Sequence, residues 1–154
     1  MFTKVGVILK PSSPELKTLY SKVKSIFNRE GFEVVLESAS ADMISEPNGI
    51  DFDDMAQFAD LLISIGGDGT LISVARKSFK FNKPIVGIHA GNLGFLVDFL
   101  PEDIYDLVKE LKVGNYKIEE RIMLEVFLNS QPISLFAFNE IVLSTRQYCK
   151  NEFR

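Results

Sequence analysis

Hydrophobic and polar residues alternate along most of this chain in a strand rhythm and then a helix rhythm. Lys4 to Lys10 (KVGVILK) is apolar in its middle and predicts a first strand. Pro11-Ser12-Ser13-Pro14 is a turn, and Pro14 suits the first turn of a helix. Leu16, Leu19, Tyr20, Val23, Ile26 and Phe27 follow helical spacing, and Gly31 stands where a left-handed C-terminal residue is expected. Phe32 to Leu36 predicts a second strand. Ser38 to Asn48 is polar without a period and reads as irregular, closing on the turn signal Pro47-Asn48-Gly49. Asp51, Asp53 and Asp54 suit the first turn of a helix, where the dipole favours carboxylates.

Leu61 to Ile65 is a nearly continuous apolar run, the mark of a strand covered on both faces. Three of the next four residues are glycine, in Gly66-Gly67-Asp68-Gly69-Thr70. Glycines there allow positive φ or close approach of a ligand. Thr70 is placed to cap a helix that buries Leu71, Ile72, Ala75 and Phe79. Free N–H groups at such a helix start favour an anion, most naturally a phosphate. Asp68 is the one charge in the loop, and beside a phosphate it calls for a metal or a proton-transfer role. The plainer reading is a tight turn with an N-capping aspartate. Ile85 to His89 predicts a further strand, which runs into a second glycine loop, Ala90-Gly91-Asn92-Leu93-Gly94-Phe95-Leu96. Two such loops at one edge of a parallel sheet make a cleft. Pro101 to Val113 predicts a helix with Glu102 and Asp103 in its first turn, Ile104, Leu107, Val108 and Leu111 inward, and Gly114 as its stop.

The rhythm then changes. Lys117 to Leu128 and Ile133 to Ser144 are β-rich runs around Asn129-Ser130-Gln131-Pro132 and predict an antiparallel hairpin. The expected fold is α/β: a parallel-sheet nucleotide-binding domain over 1–115, followed over 116–154 by the incomplete start of an all-β domain. Asn139-Glu140 interrupts the second run. Glu140 could pair with Arg121 or Arg146, or the two residues could touch a ligand.

Charge and composition narrow the function. The net charge of −4 and the scattered cations argue against a nucleic-acid partner. Cys149 is the only cysteine, so an internal disulfide is excluded. No secretory leader or membrane-length apolar run is apparent, and a cytoplasmic location is expected. There is no Walker loop, no G-x-G-x-x-G after a strand and no G-x-S-x-G. The three clustered aspartates read as a solvated helix start rather than a metal site, and His89, the only histidine, as a hydrogen-bonded structural residue. Glycine loops with one carboxylate suit phosphoryl transfer from a nucleotide to a hydroxyl.

Gly66-Gly67-Asp68-Gly69-Thr70 resembles the GGDGT signature of NAD kinases, which diacylglycerol and sphingosine kinases and 6-phosphofructokinases share more loosely. Gly87-Ile88-His89-Ala90-Gly91-Asn92-Leu93-Gly94-Phe95-Leu96 resembles the NAD kinase pattern ending in G-x-LGF, and Glu120-Arg121-Ile122-Met123-Leu124 and Asn139-Glu140 fall in the family's order. The resemblance implies phosphorylation of the 2′-hydroxyl of the adenosine ribose of NAD, giving NADP. The implied donor is ATP or polyphosphate, with a divalent metal; because no carboxylate cluster here has cage spacing, Mg²⁺ is expected to arrive with the donor phosphates. It implies Asp68 as proton acceptor and substrate contacts from Gly67, Asp68, Gly69, Thr70, Phe95, Asn139 and Glu140, with Phe95 near the adenine. Many members carry a basic residue where this chain has Ser73, and Arg76 and Lys77 are the nearest substitutes. The chain is expected to be an amino-terminal portion that lacks the rest of the β domain, to be inactive alone, and either to self-associate as a homo-oligomer through its hairpin or to be disordered there. The alternatives are a kinase for a lipid or sugar hydroxyl, and a non-catalytic nucleotide-binding or assembly module.

Overall fold

The computed structural model describes residues 2–91, 94–97 and 99–138. Four strands form a parallel sheet: β1 (Lys4–Leu9), β2 (Glu33–Leu36), β3 (Leu61–Gly66) and β4 (Ile85–His89). Their spatial order is β2-β1-β3-β4. Val5 lies between Val34 and Leu61 in register, and Ile63 pairs with Val86. All of β3 is buried, as its unbroken apolar run requires of a central strand.

The helices are α1 (Lys17–Arg29), α2 (Ser38–Ile44), α3 (Phe52–Phe58), α4 (Asp68–Ser78) and α5 (Ile104–Val113). Side chains alternate across the sheet and so feed two cores. Val5, Val7, Leu61, Ile63 and Ile65 pack with Tyr20, Val23 and Phe27 of α1 and Ile104, Val108 and Leu111 of α5. Ile8 and Leu62 pack on the other face with Met55 of α3, Ala59 and Val74 of α4. Gly6 leaves the space that Met55 fills.

Several boundaries differ from the sequence reading. Pro14–Leu16 is a short 3₁₀ turn that opens α1, and Gly31 closes that helix at φ +92°. The stretch read as irregular contains α2, whose start is capped by Glu37 accepting the Ser40 N–H at 3.1 Å. Only Ala41 and Ile44 on it are buried apolar residues, too few to show a period. Asp53 and Asp54 lie in the first turn of α3 as expected, whereas Asp51 stands just before it as the N-cap. Thr70 does not cap α4. Gly67 is the N-cap, so the helix begins earlier and buries Thr70, Val74, Ala75 and Ser78. Phe79, expected inward, sits at the helix end and is 46% exposed. Glu102 and Asp103 precede α5, where Asp103 accepts the Leu100 N–H at 2.8 Å.

Two compact units divide after Glu119. In the second, β5 (Leu124–Leu128) and β6 (Gln131–Ala137) form an antiparallel hairpin with a register shift between Glu125 and Phe127. The strand begins at Leu124 rather than near Lys117. The turn is Asn129-Ser130 alone, both at positive φ, as a two-residue hairpin turn of the primed type demands. Among the described residues no helix is long and apolar enough to cross a membrane.

Candidate functional site

Strand order reverses at β1. The chain moves from β1 to β2 on one side and returns to β3 on the other. Crevices for ligands open outside the carboxyl ends of strands at such a point. Here the backbones leaving β1 and β3 line a cleft of about 900 Å³. Lys10 and Ser12 face it from the β1 end, Gly67, Gly69 and Thr70 from the start of α4, and His89 from the end of β4. The edges are tied together: the Lys10 N–H donates to the Ile65 carbonyl, and the Ala90 N–H to the Gly66 carbonyl, each at 2.8 Å.

The three glycines of the first loop are glycine for different reasons. A Cβ on Gly66 would collide with the Thr70 side chain, so this glycine lets α4 sit close on β3. Gly67 and Gly69 have no such need. A Cβ on either would meet no atom within 4 Å, and neither has positive φ. Both face the cleft. Positive φ, one of the two uses foreseen for these glycines, is therefore unused, and close approach by a ligand is the use that remains. As the first turn of an eleven-residue helix, this segment also has backbone N–H groups without intrahelical acceptors.

Asp68 begins α4, but its carboxylate turns toward the second glycine loop. It accepts the Phe95 N–H at 2.8 Å and the Leu96 N–H at 3.0 Å. These bonds, that from Phe95 foremost, hold the carboxyl below the ordinary aspartate range. Gly94 must lack a side chain, because a Cβ there would fall on the Asp68 carboxylate. The contact bridges residues 27 and 28 apart in sequence. One consequence is that Phe95 projects outward with its side chain fully exposed. His89 holds the same loop from below: its Nε2 accepts the Gly94 N–H at 3.1 Å, while the residue itself is only 2% exposed.

The structure thus gathers Gly67, Gly69 and Thr70 along the cleft and brings Asp68 and Phe95 together beside it. Asn139 and Glu140 lie outside the described residues. Of the two basic residues nearest Ser73, Lys77 lines the cleft together with Ser73, and its Nζ lies 5.4 Å from the centre of the Phe52 ring. The sequence reading missed Lys10, Ser12 and Glu37. All three follow strand ends, which was the available signal. Glu37 is buried, and one of its oxygens accepts from the Ser40 hydroxyl at 2.6 Å. Among the described residues no group of three His, Cys, Asp or Glu side chains could hold a metal ion.

Residues 5–116 match the model of the ATP-NAD kinase N-terminal domain. The chain is 49% identical over 146 residues to an NAD kinase of Wolinella succinogenes, covering 94% of this chain and 50% of that protein. It is 48% identical over 143 residues to an NAD kinase of Sulfurimonas denitrificans, covering 92% and 50%. A crystal structure of yeast NADH kinase complexed with NADH has the same fold, with a TM-score of 0.69 at 22% identity over 88% of this chain and 46% of that one. The chain spans about half the length of the curated relatives it matches. With its glycine-faced cleft and its pinned aspartate at the strand ends, the chain belongs to the ATP-NAD kinase family.

Proposed function

We propose that, within the full-length protein, this chain provides the phosphate side of an NAD kinase. The reaction moves a phosphoryl group from ATP or polyphosphate to the 2′-hydroxyl of the adenosine ribose of NAD, giving NADP. The supporting observation is the Asp68 carboxylate, kept ionised by two backbone N–H donors and fixed beside a cleft faced by Gly67 and Gly69.

An ionised carboxylate has about four acceptor sites. The Phe95 and Leu96 N–H groups take one on each oxygen. The rest can accept from an acceptor hydroxyl, which orients it toward the donor and receives its proton. A weak base suffices, because a loose phosphoryl-transfer transition state needs little proton removal before bond formation. The N–H groups at the start of α4, with Lys10 and Lys77, can balance charge on the donor phosphates. Among the described residues no three His, Cys, Asp or Glu side chains come together as a cage for Mg²⁺. Mg²⁺ is therefore assigned to the donor's phosphate oxygens, and no step is routed through it. Phe95 is proposed to meet the adenine, and Asn139 and Glu140 the dinucleotide. A homo-oligomer in the cytoplasm is part of the same reading.

The test is product analysis. Full-length protein with Mg²⁺ and ATP or polyphosphate is offered NAD, NADH, a diacylglycerol and a hexose phosphate. NADP is the expected product from NAD. Phosphorylation of the lipid or the sugar instead would reject the proposal. The chain by itself, spanning half of such an enzyme, is expected to make no NADP.

A further inference from the structure

His89 has one ring nitrogen in use and one in reserve. Nε2 accepts the Gly94 N–H, so in the neutral ring the proton is on Nδ1. Nδ1 is buried and has no hydrogen-bond partner among the described residues. The backbone N–H of His89 donates to the Phe99 carbonyl at 2.7 Å, which fixes the residue on the sheet. Buried donors are nearly always satisfied, and because His89 is one of the residues lining the cleft, a ligand there can bring the acceptor that Nδ1 lacks.

The surroundings say which acceptor. Gly67, Gly69 and Gly91 line the same cleft, and a Cβ on any of them would meet open space. Lys10 and Lys77 are the cations facing it. Glu37 is the one carboxylate among its lining residues, and Ser40 engages it. The two lysines outnumber the single carboxylate, which Ser40 already engages, and that balance favours an oxyanion. A cleft of about 900 Å³ has room for linked phosphates.

We propose that His89 is a positioning residue that donates Nδ1–H to a phosphate oxygen in this cleft while Nε2 holds the loop carrying Gly94, Phe95 and Leu96. The inference rests on the reading of the cleft as the donor-phosphate site. It adds a coupling: one imidazole touches the phosphate ligand and the loop that grips Asp68. A ligand oxygen on Nδ1 fixes the ring, and the fixed ring fixes Gly94.

His89 is the only histidine in the sequence, so its ring signals are unambiguous. The chain labelled with ¹⁵N-histidine is titrated with inorganic tripolyphosphate and followed by NMR and calorimetry. The expected free state has a protonated Nδ1 and an unprotonated Nε2. On binding, the Nδ1 proton moves downfield and exchanges more slowly, and the Gly94, Phe95 and Leu96 amides shift with it. His89→Gln keeps an acceptor near Nε2 and loses the Nδ1 donor. It should weaken tripolyphosphate binding by about ten- to a hundredfold, as loss of a bond to a charged group does. His89→Asn restores a donor near Nδ1 and should recover most of that affinity while the Gly94 amide shifts. In the full-length protein, His89→Gln should raise KM for the donor more than it lowers kcat.

A proton on Nε2, no tripolyphosphate binding, or His89→Gln binding as wild type would each overturn the proposal. Should His89→Gln fail to fold, the wild-type ring signals decide alone. Failure of the kinase reading looks different: tripolyphosphate would bind with the full imidazole response, yet the full-length protein would make no NADP.

Discussion

Gly69→Ala separates the two explanations of the glycine loop. Gly69 is the second residue of α4, its φ is not positive, and a methyl group there would touch nothing within 4 Å. Alanine is therefore free to take the same backbone conformation. By restricting the unfolded chain it should stabilise the protein by about 0.4–1 kcal/mol. For a chain of this length that raises the melting temperature by about 1–4 °C. The same methyl stands in the cleft where the proposed donor phosphate would approach the backbone. Holding the donor off by about 1 Å should cost about 10²-fold in turnover. The assay pairs urea and thermal unfolding with tripolyphosphate binding and, in the full-length protein, NADP formation. A glycine kept for ligand approach gives a more stable protein with impaired binding. Unchanged binding, or lost stability, would refute the argument. Gly67→Ala is less clean, because alanine is itself a poorer N-cap than glycine.

Three further outcomes are expected. Gly94→Ala places a methyl on the Asp68 carboxylate and should lower turnover about 10²-fold; combined with Asp68→Asn in a double-mutant cycle it should add little, and full additivity would deny that the two act as a unit. Ser64 is buried with a hydroxyl that has no partner among the described residues, so Ser64→Ala should be neutral or stabilising by up to about 1–2 kcal/mol in urea unfolding; a loss above about 1 kcal/mol would mean the hydroxyl has a partner. Asp60 accepts the N–H groups of Thr3 and Lys4, the Thr3 bond foremost, which lowers its folded pKa as the second loop lowers that of Asp68. A lowered folded value stabilises above the unfolded value, about 3.9, and that stability drains away as pH falls through the folded values; Asp60→Asn should flatten the slope below about pH 4, and an unchanged slope would contradict the assignment.

The parts legible in the sequence were those decided by local pattern. An unbroken apolar run marked β3, and Ile104, Leu107, Val108 and Leu111 fell inward as their spacing required. What escaped was decided by contacts far apart in the chain. The helix Ser38–Ile44 lacks a period because a side-chain cap and two buried residues suffice for so short an element. The α4 face was misphased because Thr70 packs against Gly66 rather than capping the helix. Asp68 stood out in the sequence as the one charge in its glycine loop. Its partners, the Phe95 and Leu96 N–H groups, are supplied by a segment that only the β3–β4 pairing brings near. Lys10 looked like a strand end and Ser12 like a turn residue, because strand order at the crevice is a property of the sheet.

The most direct test of the central claim is the turnover of full-length Asp68→Asn with NAD and ATP or polyphosphate. Loss of a general base typically costs about 10²–10⁴-fold, and this account predicts a fall of that size with the fold retained by circular dichroism and with donor binding preserved. NADP formation at near wild-type turnover would contradict it and remove Asp68 from the chemistry.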